Sequence, residues 1–187
     1  MKRYKKNIIA GVDEVGRGSW IGPVLSAAVI LNKNINKTFL KDSKKIPYRN
    51  RVKLSKYIKA NSIFAIGKAS LKEIEKLNIL QATLLSMKRA ILKLKKKPNL
   101  VLVDGNQAPI LNNIKIKTII KGDQINSSIS AASILAKVAR DRYIKILSKK
   151  FKGYSWDTNF TSVKRSNATD YFTGEMALWQ NHVELVF

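Results

Sequence analysis

Apolar positions fall into several short runs and one long periodic stretch, and this pattern predicts alternating strands and helices. Residues 7–15 read as a strand in which Ile8, Ile9 and Val12 lead into Asp13-Glu14. Residues 22–31, GPVLSAAVIL, read as a second, largely buried strand, because strands covered on both faces are apolar throughout. No Asn-Gly turn joins the two; the glycine-flanked, basic segment Gly16-Arg17-Gly18-Ser19 lies between them. Residues 42–60 read as a loop and then a short helix, with Leu54, Tyr57 and Ile58 at helical spacing, and residues 62–70 as a third strand. The clearest helix covers residues 73–95, where Leu77, Leu80, Leu84, Met87, Ile91 and Leu94 recur at steps of three and four. Lys95 to Pro98 ends it, since cations suit a helix C-terminus and proline cannot continue the helix. Residues 99–103 form a short buried strand running into Asp104-Gly105, and residues 114–120 alternate as a fifth strand. Gly122-Asp123 opens a helix over roughly 124–150, with a small-residue face that includes Ser127, Ser130, Ala131, Ser133 and Ala136. This order describes an α/β fold with a mixed central sheet flanked by helices.

Composition narrows the chemistry. At 187 residues the chain has one domain's worth of length, and its 45% hydrophobic content suits a globular fold. It has no cysteine, which removes disulfides, thiolate zinc sites and cysteine nucleophiles and fits a reducing compartment. With His182 as its single histidine, a serine–histidine triad and paired-histidine zinc motifs are not expected. The longest apolar stretch, Trp20 to Leu31, is interrupted by Gly22, Pro23 and Ser26 and is too short to span a bilayer. The basic start is followed by too short an apolar run for a secretory signal, so a cytoplasmic protein without a membrane segment is expected.

Charge changes the picture most. Thirty-six Lys and Arg against twelve Asp and Glu give a net charge of +24, a field that favours a polyanion such as nucleic acid. A chain rich in Lys, Ile and Asn also looks like the product of an AT-rich gene, which would inflate lysine without a functional cause. The charge is uneven: residues 1–160 carry +25 and residues 161–187 carry −1.

With so few acids, their places are informative. Asp13 and Glu14 end the first strand, Asp104 ends the fourth, and Asp123 follows the fifth. Sites gather at strand ends because rigid strands hold the loops that carry function. Four carboxylates brought together would repel one another, and divalent cations remove that objection. Hard oxygen ligands suit Mg²⁺ or Mn²⁺, and two such ions can activate water and stabilise the leaving oxygen in phosphodiester hydrolysis. Each residue also has a plainer reading. Asp104-Gly105 is an ordinary turn pair, Asp123 is well placed as a helix N-cap, and Asp141, between Arg140 and Arg142, suits a structural ion pair. Spacing alone leaves these open.

Six ordered blocks then carry a resemblance. Ile9 to Gly18 (IAGVDEVGRG) with Gly22-Pro23-Val24, Asp42-Ser43-Lys44-Lys45, Leu77 to Thr83 (LNILQAT), Val103-Asp104-Gly105-Asn106, Lys121-Gly122-Asp123, and Ser130 to Asp141 (SAASILAKVARD) together resemble ribonuclease HII, the type-2 ribonuclease H family. The resemblance covers about residues 7–160 and implies a ribonuclease H-like fold. It implies a metal-dependent endonuclease that hydrolyses RNA in RNA–DNA hybrids and nicks on the 5′ side of single ribonucleotides in DNA duplexes, a step in replication and repair. It implies Asp13, Glu14, Asp104 and Asp123 as catalytic, metal-binding carboxylates, with Asp141 the competitor of Asp123 for the fourth place. It implies that the Gly16-Arg17-Gly18 loop reads the ribose 2′-hydroxyl and that Ser43 and Lys44 contact substrate phosphates; a monomer is expected. Two weaker alternatives are a relative that binds hybrids but cuts poorly, and a non-enzymatic basic RNA-binding protein.

After Phe160 the recognised pattern stops, where the positive charge also ends. The expected organisation is therefore a catalytic domain over residues 1–160 and an atypical tail over 161–187, either a shifted reading frame or a lineage-specific end. The family's sugar-packing tyrosine has no counterpart there, since Tyr154 comes too early and Tyr171 too late.

Overall fold

The structure, a computed structural model, describes residues 8–19, 22–40 and 46–150. Asp42 to Lys45, and with them the expected phosphate contacts Ser43 and Lys44, lie outside the described residues, as do residues 161–187. Five strands form one sheet: β1 (Ile9–Val15), β2 (Val24–Leu31), β3 (Ser62–Ala69), β4 (Leu100–Asp104) and β5 (Lys115–Ile119), in the order β3-β2-β1-β4-β5. The β1–β2 and β2–β3 pairs are antiparallel, while β1–β4 and β4–β5 are parallel, so the sheet is mixed as expected. Among the described residues four α-helices accompany it: α1 (Tyr48–Ala60), α2 (Leu71–Leu92), the one-turn α3 (Gly122–Ile125) and α4 (Ser127–Lys150).

The pleat sorts side chains between two cores. Ala10, Val12, Ala28, Val101 and Val103 face α2, where they meet Met87, Ala90 and Ile91. Ala27 and Val29 face the opposite way, toward Ile58 of α1 and Ala131, Ala132, Ile134 and Leu135 of α4. The small residues expected on α4 let it lie close to β1. A β-carbon at Gly11 would come within 2.2 Å of the Ser128 backbone, so only glycine permits this approach.

Two helices depart from the periodicity. The segment expected over 73–95 begins at Leu71, capped by Ser70, whose hydroxyl accepts the Glu73 N–H while Glu73 Oε2 accepts from the Ser70 N–H at 2.9 Å. It breaks at Asn78, whose φ of 68° is left-handed. The Asn78 side-chain oxygen accepts from the N–H groups of Leu80 and Gln81 at 3.0 and 3.1 Å and restarts the helix, which leaves Leu77 exposed although it fits the apolar stripe. The helix expected over 124–150 is likewise two: Asn126 separates α3 from α4 and caps the latter by accepting from Ser128 and Ile129. Among the described residues no helix is long and apolar enough to cross a membrane.

Candidate active site

Strand pairing places the first acids. Val12 of β1 is paired with Val103 of the parallel strand β4, so Asp13 and Asp104 are the next positions on adjacent strands. Both alternate onto the α4 face of the sheet, about 5 Å apart across the ladder. Glu14 follows on the other face, aligned with Ser26 of β2. A strand-end Asp is normally wet, but Asp13 is only 6% exposed. Burial raises its carboxyl first, and the charges of Glu14 and Asp104 raise it further, to about 7. The Ser133 hydroxyl of α4 and the Glu14 N–H, at 2.8 Å, donate to Asp13 and oppose the shift. Glu14 is also raised, chiefly by burial and then by Asp104, against the pull of Arg17, whose guanidinium lies 3.7 Å from its carboxylate.

Asp104 is more than a turn residue: its Oδ1 accepts the Gly122 N–H at 2.7 Å, which ties the end of β4 to the start of α3. Asp123 is the next residue along, buried in the first turn of α3. It is not the N-cap, a position held by Lys121 in a left-handed conformation. Asp141 lies on α4 eight residues beyond Ser133, or about 12 Å along the helix. Burial raises its carboxyl, while the nearby Arg51, Arg140 and Lys137 lower it. Its electrostatic surroundings are thus cations, not the other acids.

The structure therefore brings Asp13, Glu14 and Asp104 into mutual electrostatic contact and sets Asp123 beside Asp104. Among the described residues no three acids stand close enough, as placed, to chelate one ion. The chemistry of the donor set nevertheless fits a divalent cation: all four are hard carboxylates, and the raised Asp13 sits in a local excess of negative charge that a cation would relieve.

The glycine loop lies at the edge of this acidic centre. Gly16 has a φ of +105°, and Ser19 N–H closes the turn onto the Gly16 carbonyl at 3.2 Å. A β-carbon at Gly16 would lie 2.9 Å from the Pro23 carbonyl oxygen, whereas one at Gly18 would meet nothing within 4 Å. Arg17 and Gly18 are exposed to an approaching ligand. Three residues that motif reading did not single out join the site from α4. Ser133 bonds Asp13, Lys137 Nζ donates to Ser133 Oγ at 2.7 Å, and the buried Arg140 reaches the loop itself. Their spacing of four and three along one helix was the available signal.

A family model described as ribonuclease HII matches residues 10–175. The chain belongs to the ribonuclease HII family. It is 66% identical to the ribonuclease HII of Pelagibacter ubique over 152 residues, covering 81% of this chain and 82% of that one. It is 50% identical to the ribonuclease HII of Delftia acidovorans over 155 residues, covering 82% of this chain and 66% of that one. Among solved structures, the ribonuclease H2 of Pyrococcus horikoshii is similar with a TM-score of 0.69 at 28% identity, covering 85% of this chain and 81% of that one. The expected ribonuclease H-like fold is thereby established, and membership makes the chain an endoribonuclease of the ribonuclease H type rather than a non-enzymatic basic RNA-binding protein. The ribonuclease HII match runs on past Phe160, where the recognised blocks end.

Proposed function

We propose that the chain hydrolyses the RNA strand of RNA–DNA hybrids and nicks DNA duplexes on the 5′ side of a single embedded ribonucleotide, leaving a 3′-hydroxyl and a 5′-phosphate. The observation that carries this reading is the buried Asp13, set beside Glu14 and Asp104 at adjacent strand ends and next to the exposed Gly16-Arg17-Gly18 loop. Asp13, Glu14, Asp104 and Asp123 would hold two Mg²⁺ or Mn²⁺ ions. When bound, the ions supply activation of the attacking water and stabilisation of the leaving oxygen.

The chain's own residues supply the rest. Ser133 orients Asp13, and Lys137 orients Ser133. The main chain of Gly16 and Gly18 can approach a sugar closely, and a 2′-hydroxyl both donates and accepts, so the loop distinguishes ribose from deoxyribose. Arg17 can fork a phosphate once it leaves Glu14. Ser43 and Lys44 belong to the same proposal as backbone phosphate contacts. A cytoplasmic monomer completes it, in keeping with a chain that has no cysteine.

The test is Asp13→Asn. It should abolish cleavage of a hybrid in Mg²⁺ or Mn²⁺ while leaving hybrid affinity within a few-fold, because phosphate contacts come from Lys and Arg. Retained turnover would remove the metal-site reading.

A further inference from the structure

A buried guanidinium beside the glycine loop needs a reason. Arg140 of α4 is 5% exposed, and burial lowers its affinity for the proton while the charge of its neighbour Asp141 raises it. Taking a guanidinium out of water costs several kcal/mol in general, and an apolar residue would fill the same space without that cost. Its contacts show where the group is directed. One terminal nitrogen donates to Ser19 Oγ at 2.5 Å, across 121 residues of sequence. Its Nε lies 3.0 Å from the point where a β-carbon at Gly16 would stand. Arg140 thus underlies both ends of the turn that Ser19 N–H closes onto the Gly16 carbonyl. Gly16 must be glycine here twice over, for its positive φ and for the space the guanidinium and the Pro23 carbonyl leave.

The same helix holds the chemistry. Ser133, which bonds Asp13, precedes Arg140 by seven residues, two turns on one face, or roughly 10 Å along the axis. We infer that α4 acts as a ruler: Ser133 fixes the catalytic carboxylate at one mark, and Arg140, through Ser19, fixes the glycine loop at the other. Arg140 and Ser19 are positioning residues for ribose recognition. They touch neither the sugar nor the metal ligands, and they set the distance between the group that reads the 2′-hydroxyl and the groups that act on the adjacent phosphate. This inference rests on the loop being the ribose reader.

The experiment uses the full chain and a DNA duplex bearing one ribonucleotide, with KM, kcat and melting temperature measured for each variant. Ser19 is exposed, so Ser19→Ala removes the clasp without opening the core. A hydrogen bond to a charged group is worth enough to predict a rise in KM of about tenfold. The melting temperature and kcat should stay near wild type, and Ser19→Thr, which keeps the hydroxyl, should restore KM. Arg140→Lys should behave like Ser19→Ala, because a compact ammonium cannot at once donate to Ser19 and fill the space beside Gly16. A wild-type KM in both Ser19→Ala and Arg140→Lys overturns the ruler, as does a KM loss in Ser19→Ala that Ser19→Thr does not restore. Gly18→Val separates the two ideas, since a β-carbon there meets nothing within 4 Å among the described residues and the added bulk faces the substrate. Unchanged cleavage by Gly18→Val sinks ribose reading by the loop, and the ruler with it. Lost cleavage in Gly18→Val beside an unchanged Ser19→Ala sinks the ruler alone.

Discussion

Asp13 is held at the point of greatest electrostatic conflict in the site. Burial and two neighbouring acids push its carboxyl up to about 7, while Ser133 and the Glu14 amide hold it down. A polar group kept in such a place against its own solvation marks function more readily than structure. Asp141 is raised by burial too, but its neighbours Arg51, Arg140 and Lys137 neutralise it, which is the pattern of a structural ion cluster. Asp123, its competitor for the fourth carboxylate place, instead follows Gly122, whose N–H is held by Asp104, so the two differ in company. Asp123→Asn should lower cleavage at least about a hundredfold, as loss of a metal ligand or its immediate support does. Asp141→Asn should cost less activity and more thermal stability. Turnover rates and melting curves of the two variants decide it, and the reverse order of activities would assign the place to Asp141. Asp13, Glu14, Asp104 and Asp123 were all legible as acids at strand ends, because a strand followed by a carboxylate is a local pattern. Ser133, Lys137 and Arg140 were not, because a contact spanning 121 residues exists only once α4 lies along β1.

At the scale of elements, α2 shows which signals periodicity carries and which it misses. Its buried residues Met87 and Ile91 follow the apolar stripe, but the break at Asn78 follows from a side chain that can cap its own continuation, and no stripe reports that. The start of α2 is fixed by Glu73, which serves the capping box and also forms a two-pronged pair with Arg89, at 2.6 Å and 2.8 Å. The Arg89 bonds, first, and those from Ser70 hold the Glu73 carboxyl down to about 2, from an ordinary 4.5. A depressed acid stabilises the fold above its unfolded value and loses that contribution as pH falls toward its folded value. The pair is half-exposed, so solvent screening limits it to about 1 kcal/mol. Glu73→Gln should cost that amount at neutral pH, and the gap from wild type should shrink to roughly half or less by about pH 3. Urea denaturation across that range measures it. A gap independent of pH would mean the capping box, not the ion pair, carries the effect.

The whole chain is strongly basic. Its +24 net charge is arranged so that nine of twelve acids, including the four of the site, lie within a segment that is still +25. Such a field should make binding of an RNA–DNA hybrid depend steeply on salt, and six or so phosphate contacts predict a slope of log affinity against log salt near about −5. A slope near zero, read from fluorescence anisotropy at several salt concentrations, would show that the lysines reflect composition rather than contact. The layered α/β arrangement and its mixed sheet were legible from run length and punctuation, whereas strand order was not, because parallel pairing of β1 with β4 is made by chain segments far apart in sequence. That pairing is what sets Asp13 beside Asp104 and makes the acids one site. The site is proposed to cut next to a ribose in DNA. The most direct measurement is product mapping on an end-labelled DNA duplex with one ribonucleotide, incubated with the chain and Mg²⁺ or Mn²⁺. A single nick on the 5′ side of the ribonucleotide is expected, with none in the all-DNA duplex and none with Asp13→Asn. Equal cutting of both duplexes, or no cutting of either by a folded chain that cleaves long hybrids, would contradict it.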